Sequence, residues 1–95
     1  MFIVSITYIS EMSQIDKYLD AHIEYLDRNY ERGVFIASGR KVPRSGGIIL
    51  AKARNRSELE EILNDDPFKI HNLADYELTE FVPTKAATEF SSLIQ

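Results

Sequence analysis

Two rhythms of apolar residues run along this 95-residue chain, and together they predict its elements. From Phe2 to Ile9 the chain is dense in β-branched and aromatic side chains, the composition of a strand. Ile15, Leu19, Ile23, Leu26 and Tyr30 then recur at helical spacing. Ser13 followed by Asp16 resembles a capping box for that helix, and Gly33 supplies its stop. Val34–Ser38 and Gly47–Ala53 read as a second and a third strand. The segment 39–46 between them carries the glycine and proline of a hairpin connection. Ser57 with Glu60 caps a second helix running to Leu63, and Asp66-Pro67 suits the N-cap and first position of a further short turn. Tyr76–Val82 is the last strand, ended by Pro83, and the tail from Thr84 to Gln95 adds at most a helical turn. The order β-α-β-β-α-β predicts one α+β domain of the ferredoxin-like kind, with a four-stranded antiparallel sheet carrying both helices on one face.

Such a sheet alternates apolar and polar residues when its free face meets water. These strands do not. Phe2, Val4, Ile6 and Tyr8 share one side of the first strand, yet Ile3 and Ile9 occupy the other. The second strand sets Val34 and Ile36 against Phe35 and Ala37, and the third sets Ile48 and Leu50 against Ile49, Ala51 and Ala53. A monomer would expose a large apolar patch, so a homodimer packed sheet to sheet is expected.

Composition narrows the chemistry. There is no cysteine, which excludes disulfides, thiolate nucleophiles and thiolate metal sites and suits a reducing cytosol. The N-terminal run lacks the features of a signal peptide, and no apolar stretch reaches bilayer length, so a cytoplasmic chain without a membrane partner is expected. A net charge of −4 argues against nucleic acid as a partner. The segment from Arg40 to Arg56 nevertheless holds six bases and no acid: Arg40, Lys41, Arg44, Lys52, Arg54 and Arg56. It is either a solvated hairpin rim or a positive field for a small anionic ligand.

His22 lies on or beside the apolar stripe of the first helix. It reads either as a half-buried histidine satisfied by a carbonyl or a tyrosine, or as a general acid or base near neutral pH. Asp66 is either an ordinary N-cap or, if the second helix folds back over the first, the carboxylate that orients His22. Two histidines without cysteine make a poor metal site. Ser45-Gly46-Gly47 precedes a strand and not a helix, so it is no phosphate loop, and no cofactor is expected. Tyr18, Tyr25 and Tyr30 read as packing. Tyr8 and Tyr76 sit where they could line a pocket, but nothing singles them out.

The stretches Tyr18-Leu-Asp-Ala-His22-Ile-Glu-Tyr-Leu26, Gly33-Val-Phe-Ile-Ala-Ser38-Gly39, Gly46-Gly-Ile-Ile-Leu50, Asp66-Pro67-Phe68 and Ala74-Asp-Tyr76-Glu-Leu-Thr-Glu-Phe81 resemble the YciI-like (YCII-related) family. The resemblance covers residues 2–83 and leaves 84–95 as a tail. It implies a ferredoxin-like subunit of a dimeric α+β barrel, with an active site built on a histidine and an aspartate. Those roles fall on His22 and Asp66, with Ser38 and Gly39 lining the pocket. The expectation is a lyase or isomerase that moves a proton on a small, anionic molecule without a cofactor. Arg40 or Arg44 would anchor the anion. A non-catalytic ligand-binding module, or an oxygenase of the wider superfamily, are the alternatives.

Overall fold

The computed structural model describes residues 1–94. Its elements are β1 (Phe2–Tyr8), α1 (Met12–Glu31), β2 (Phe35–Arg40), β3 (Gly46–Ala51), α2 (Arg56–Leu63), α3 (Pro67–Ile70), β4 (Ala74–Glu80) and a 3₁₀ helix (Thr88–Leu93). The strands form one sheet in the order β2-β3-β1-β4, every neighbouring pair antiparallel. This is the ferredoxin-like fold that the order of elements predicts.

Strand parity builds the core. Phe2, Val4 and Ile6 pair with Ala51, Ile49 and Gly47 on one flank and with Glu80, Leu78 and Tyr76 on the other. Phe2, Val4, Ile6, Ile49 and Ala51 are buried under Ile15 and Tyr25 of α1, Leu59, Ile62 and Leu63 of α2, and Phe68 of α3. The Tyr25 hydroxyl donates to the Ile62 carbonyl at 2.8 Å and ties α1 to the end of α2. The opposite face is divided. Ile3, Ile48, Leu50 and Ala37 make its β1–β3–β2 part apolar, whereas β4 contributes Asp75, Glu77 and Thr79.

Several boundaries differ from the sequence reading. Glu11, not Ser13, occupies the N-cap of α1; its carbonyl accepts from Gln14 and Ile15, and no side chain caps the helix. The buried stripe of α1 is Ile15, Tyr25 and Asn29, while Ile23 is exposed. Gly33 ends the helix as expected. At φ 74° it lets Gly33 donate to the Tyr30 carbonyl and Val34 to the Asn29 carbonyl, the paired bonds of a Schellman turn. On α2 the cap is Asn55, whose side chain accepts from the Glu58 amide at 2.8 Å, so Ser57 falls inside the first turn. A register shift between Phe35 and Ala37 breaks the alternation of β2, and Val34 and Phe35 are both buried. Gly39 and Arg40, read as hairpin, belong to β2 and lie opposite Ile48 and Gly47.

Gly46 is required by a close approach. A Cβ there would lie 1.7 Å from the Ile6 carbonyl oxygen. Among the described residues, no helix is long and apolar enough to cross a membrane.

Candidate functional site

One face of α1 and the hairpin end of the sheet enclose a cavity of about 430 Å³, a volume suited to a small molecule. Asp16, Leu19, His22, Ile23 and Leu26 reach it from α1, spaced at three- and four-residue steps that keep them on one side of the helix. From the sheet, Ser38 and Arg40 of β2 reach it alongside Ile49 and Gly47, their partners on β3. Gly39, Gly46 and Gly47 offer backbone rather than side chains, which leaves room there.

His22 stands at the inner wall, its side chain 12% exposed, and Asp66 behind it is fully buried. His22 Nδ1 and Asp66 Oδ1 are 2.8 Å apart. Asp66 comes within reach because α2 and α3 fold back against α1, with the Asp66-Pro67 step opening α3. Asp66 makes the contacts that each of its two sequence readings calls for. The same Oδ1 accepts from the Phe68 amide at 3.0 Å as an N-cap, and Oδ2 accepts from the Tyr76 hydroxyl at 2.6 Å. Three donors therefore surround one buried carboxylate, the condition under which a charge is tolerated away from water.

With Asp66 ionised, Nδ1 carries the shared proton and Nε2 presents its lone pair. Nε2 has no partner among the described residues, and none of their buried polar side-chain atoms is left unpartnered. Nε2 is thus the ring nitrogen open to the outside. Phe68 holds the imidazole from one side, its ring stacked at 4.1 Å and 11°. Tyr8 packs edge-on against Phe68 in turn.

The phenols around the pair stay protonated. Burial first, then the Asp66 charge and hydrogen bond, push Tyr76 far above the usual tyrosine range. Burial, then the charges of Asp66 and Asp65, do the same to Tyr25. Tyr76 can therefore only donate to Asp66.

At the mouth, Arg44 donates to Asp16 at 3.0 Å, and that bond raises its guanidinium further. Arg40 makes no side-chain hydrogen bond or ion pair among the described residues. Ser38 Oγ lies 2.5 Å from the Tyr30 hydroxyl. The six bases between Arg40 and Arg56 do not form one patch. Arg40, Lys41 and Arg44 flank the cavity end of the hairpin. Lys52, Arg54 and Arg56 fall beyond the far end of β3, where Arg54 and Arg56 pair with Glu58 and Glu60.

Every residue proposed from the sequence except Asp66 lines the cavity, and Asp66 backs it through His22. Sequence reasoning missed Phe68 and Asp16 and did not single out Tyr76. The parity of β4 would put Tyr76 on the core side once its register with Ile6 is known, but register is not legible in one strand. His71, the second histidine of the chain, stacks on Tyr18 at 4.0 Å, apart from the cavity lining. Among the described residues, no group of three or more His, Cys, Asp or Glu side chains could hold a metal.

A model of the YCII-related domain family matches residues 1–82. Among solved structures, the chain is similar to 5-chloro-2-hydroxyhydroquinone dehydrochlorinase (TftG) from Burkholderia phenoliruptrix AC1100, in complex with 2,5-dihydroxybenzoquinone. The two share 15% sequence identity at a TM-score of 0.72, over 84% of this chain and 91% of that one. At this identity the likeness is one of fold. No curated protein sequence matches the chain.

Proposed function

This chain belongs to the YCII-related family, and from that premise we propose that it is a homodimeric enzyme catalysing proton-transfer chemistry, an elimination or isomerisation, on a small anionic molecule. The observation that carries the reading is the 2.8 Å contact between His22 Nδ1 and the buried Asp66, which leaves Nε2 unpartnered in the residue that walls the cavity. A base so held has the correct tautomer before substrate arrives.

In the proposed step, His22 Nε2 takes a proton from the substrate, and the electron pair left behind becomes a new π bond. In an elimination the bond to a leaving anion breaks and the anion departs. In an isomerisation the proton returns at another carbon. The imidazolium is stabilised by Asp66 and passes its proton to water or back to product. Arg40, without a side-chain partner among the described residues, anchors the negative charge, with Arg44 available once it leaves Asp16. Ser38 contributes a hydroxyl, and Leu19, Ile23 and Leu26 enclose the apolar part. A structural neighbour named as a dehydrochlorinase is in keeping with elimination.

The test is halide release from a panel of halogenated hydroquinones and halogenated small carboxylic acids. His22→Ala is expected to lower turnover by roughly 10²–10⁴-fold. Turnover that survives His22→Ala overturns the reading. No product from any member, with 2,5-dihydroxybenzoquinone bound equally by the parent and by His22→Asn, would instead identify a binding module.

A further inference from the structure

We propose that Tyr76 is a positioning residue of this site, which sets through Asp66 how firmly a second proton is held on His22. The proposal rests on the acid–base reading of His22 and adds to it the group that tunes the base. The Tyr76 hydroxyl donates to Asp66 Oδ2 at 2.6 Å, while Oδ1 faces His22 Nδ1 at 2.8 Å. Both oxygens belong to one delocalised carboxylate, so density drawn toward Tyr76 is withheld from His22. Tyr76 does not reach the cavity lining, and its place opposite Ile6 on β4 fixes its ring from the sheet side.

From β1, Tyr8 of the cavity lining packs on Phe68 and acts on the Tyr76 phenol. From α3, Asp66 also accepts from the Phe68 amide, and Lys69 Nζ lies 5.5 Å from the centre of the Tyr76 ring. From α1, Tyr25 stands 6.3 Å from the His22 ring but spends its hydroxyl on Ile62. Asp65, beyond α2, acts on Tyr25. Asp16, Arg40 and Arg44 are on the cavity rim, with Asp16 and Arg44 paired to each other. Tyr76 is thus the one side chain besides His22 that donates directly to Asp66 among the described residues.

Removing the hydroxyl leaves Oδ2 unpaired and the carboxylate a stronger partner for the imidazolium. In Tyr76→Phe, ¹⁵N spectra of the His22 ring should show a doubly protonated share that rises several-fold, up to roughly tenfold, at fixed pH near neutrality. Replacement of Tyr76 by 3-fluorotyrosine, a stronger donor of nearly the same shape, should move that share the opposite way. The 3-fluorotyrosine variant also guards against misfolding of Tyr76→Phe. With a halide-releasing substrate, kcat/KM of Tyr76→Phe should fall by roughly tenfold at the acid end of the profile and by less than about threefold at the alkaline end. A merely structural tyrosine would lower it evenly.

Ring spectra that do not change in either variant overturn the proposal, as does a uniform loss across pH. The spectra need no substrate, so they judge Tyr76 alone. A parent protein without turnover would count against the enzymatic reading instead.

Discussion

Asp66 carries two tasks that the sequence presents as rivals. As N-cap of α3 it accepts from the Phe68 amide, and as partner of His22 it fixes the imidazole, both through Oδ1. Substituting asparagine separates them. In Asp66→Asn the side-chain oxygen can still accept from Phe68, but the site loses the charge that favours the imidazolium. With the cap kept, the amide nitrogen takes the place of Oδ2 beside the Tyr76 hydroxyl, and Nδ1 faces a neutral oxygen in place of a carboxylate. We expect kcat for halide release to fall by roughly 10²–10⁴-fold. The thermal midpoint should move far less than in Asp66→Ala, which also orphans the cap. Equal activity in Asp66→Asn and the parent would show that the carboxylate does not serve His22. The histidine was legible from its place beside an apolar stripe, and the aspartate as a residue before proline. Their meeting was legible only through the family resemblance, because in the residues alone it depends on how far α2 and α3 fold back over α1. Tyr76 was hidden for the same reason, since only the pairing of β4 with β1 turns its ring toward Asp66.

At the scale of elements, composition, periodicity and capping residues foretold all four strands and the helices α1, α2 and α3, but their ends followed backbone geometry. Ser57 and Asn55 are both good caps by residue type. Asn55 has the extended backbone, φ −158° and ψ 171°, and its side chain accepts from the Glu58 amide. Asn55→Ala should therefore cost about 1 kcal/mol of stability, whereas Ser57→Ala should stay within about 0.5 kcal/mol, as read from urea unfolding. The reverse order would mean that the helix begins two residues later. The stripe of α1 was misjudged by one position for a related reason. Tyr25 and Asn29 are buried and bonded, Tyr25 to the Ile62 carbonyl and Asn29 to the Tyr25 carbonyl. Polar groups satisfied in this way displace Ile23 to the exposed edge of the cavity. A bulge in β2 likewise sets Phe35 opposite the buried Ala51 but Ala37 opposite Leu50 of the outer face, which a strict period of two cannot express.

At the scale of the whole molecule, the buried phenols set an expected pH dependence, and the outer sheet face is the surface on which the proposed dimer is tested. Tyr25 and Tyr76 hold their protons well above the ordinary value of about 10. Below that value both folded and unfolded chains are protonated and the stabilisation is complete. Above it the unfolded chain loses protons that the fold retains, so stability falls as pH rises, by up to about 1.4 kcal/mol per pH unit for each tyrosine. Urea midpoints between about pH 9 and about pH 11 should show this decline, flattened by Tyr25→Phe and by Tyr76→Phe; an equally steep decline in the double variant would contradict it. On the outer face, Ile3 and Ile48 remain 38% and 37% exposed beside Leu50 and Ala37, with the acids of β4 along one side. Sheet-to-sheet pairing would bury on the order of 800 Å² per copy and set the Asp75 and Glu77 rows toward the rim. In a two-fold interface each substitution is met twice, so Ile48→Lys forces two unpaired ammonium groups into an apolar contact. Sedimentation should find the parent dimeric at micromolar concentration and Ile48→Lys dissociating roughly 100-fold more readily. Because Ile48 also lines the cavity, the His22 ring spectra of the variant should be recorded beside its sedimentation. A parent that sediments as single chains would leave the apolar half of this face without a second copy to cover it.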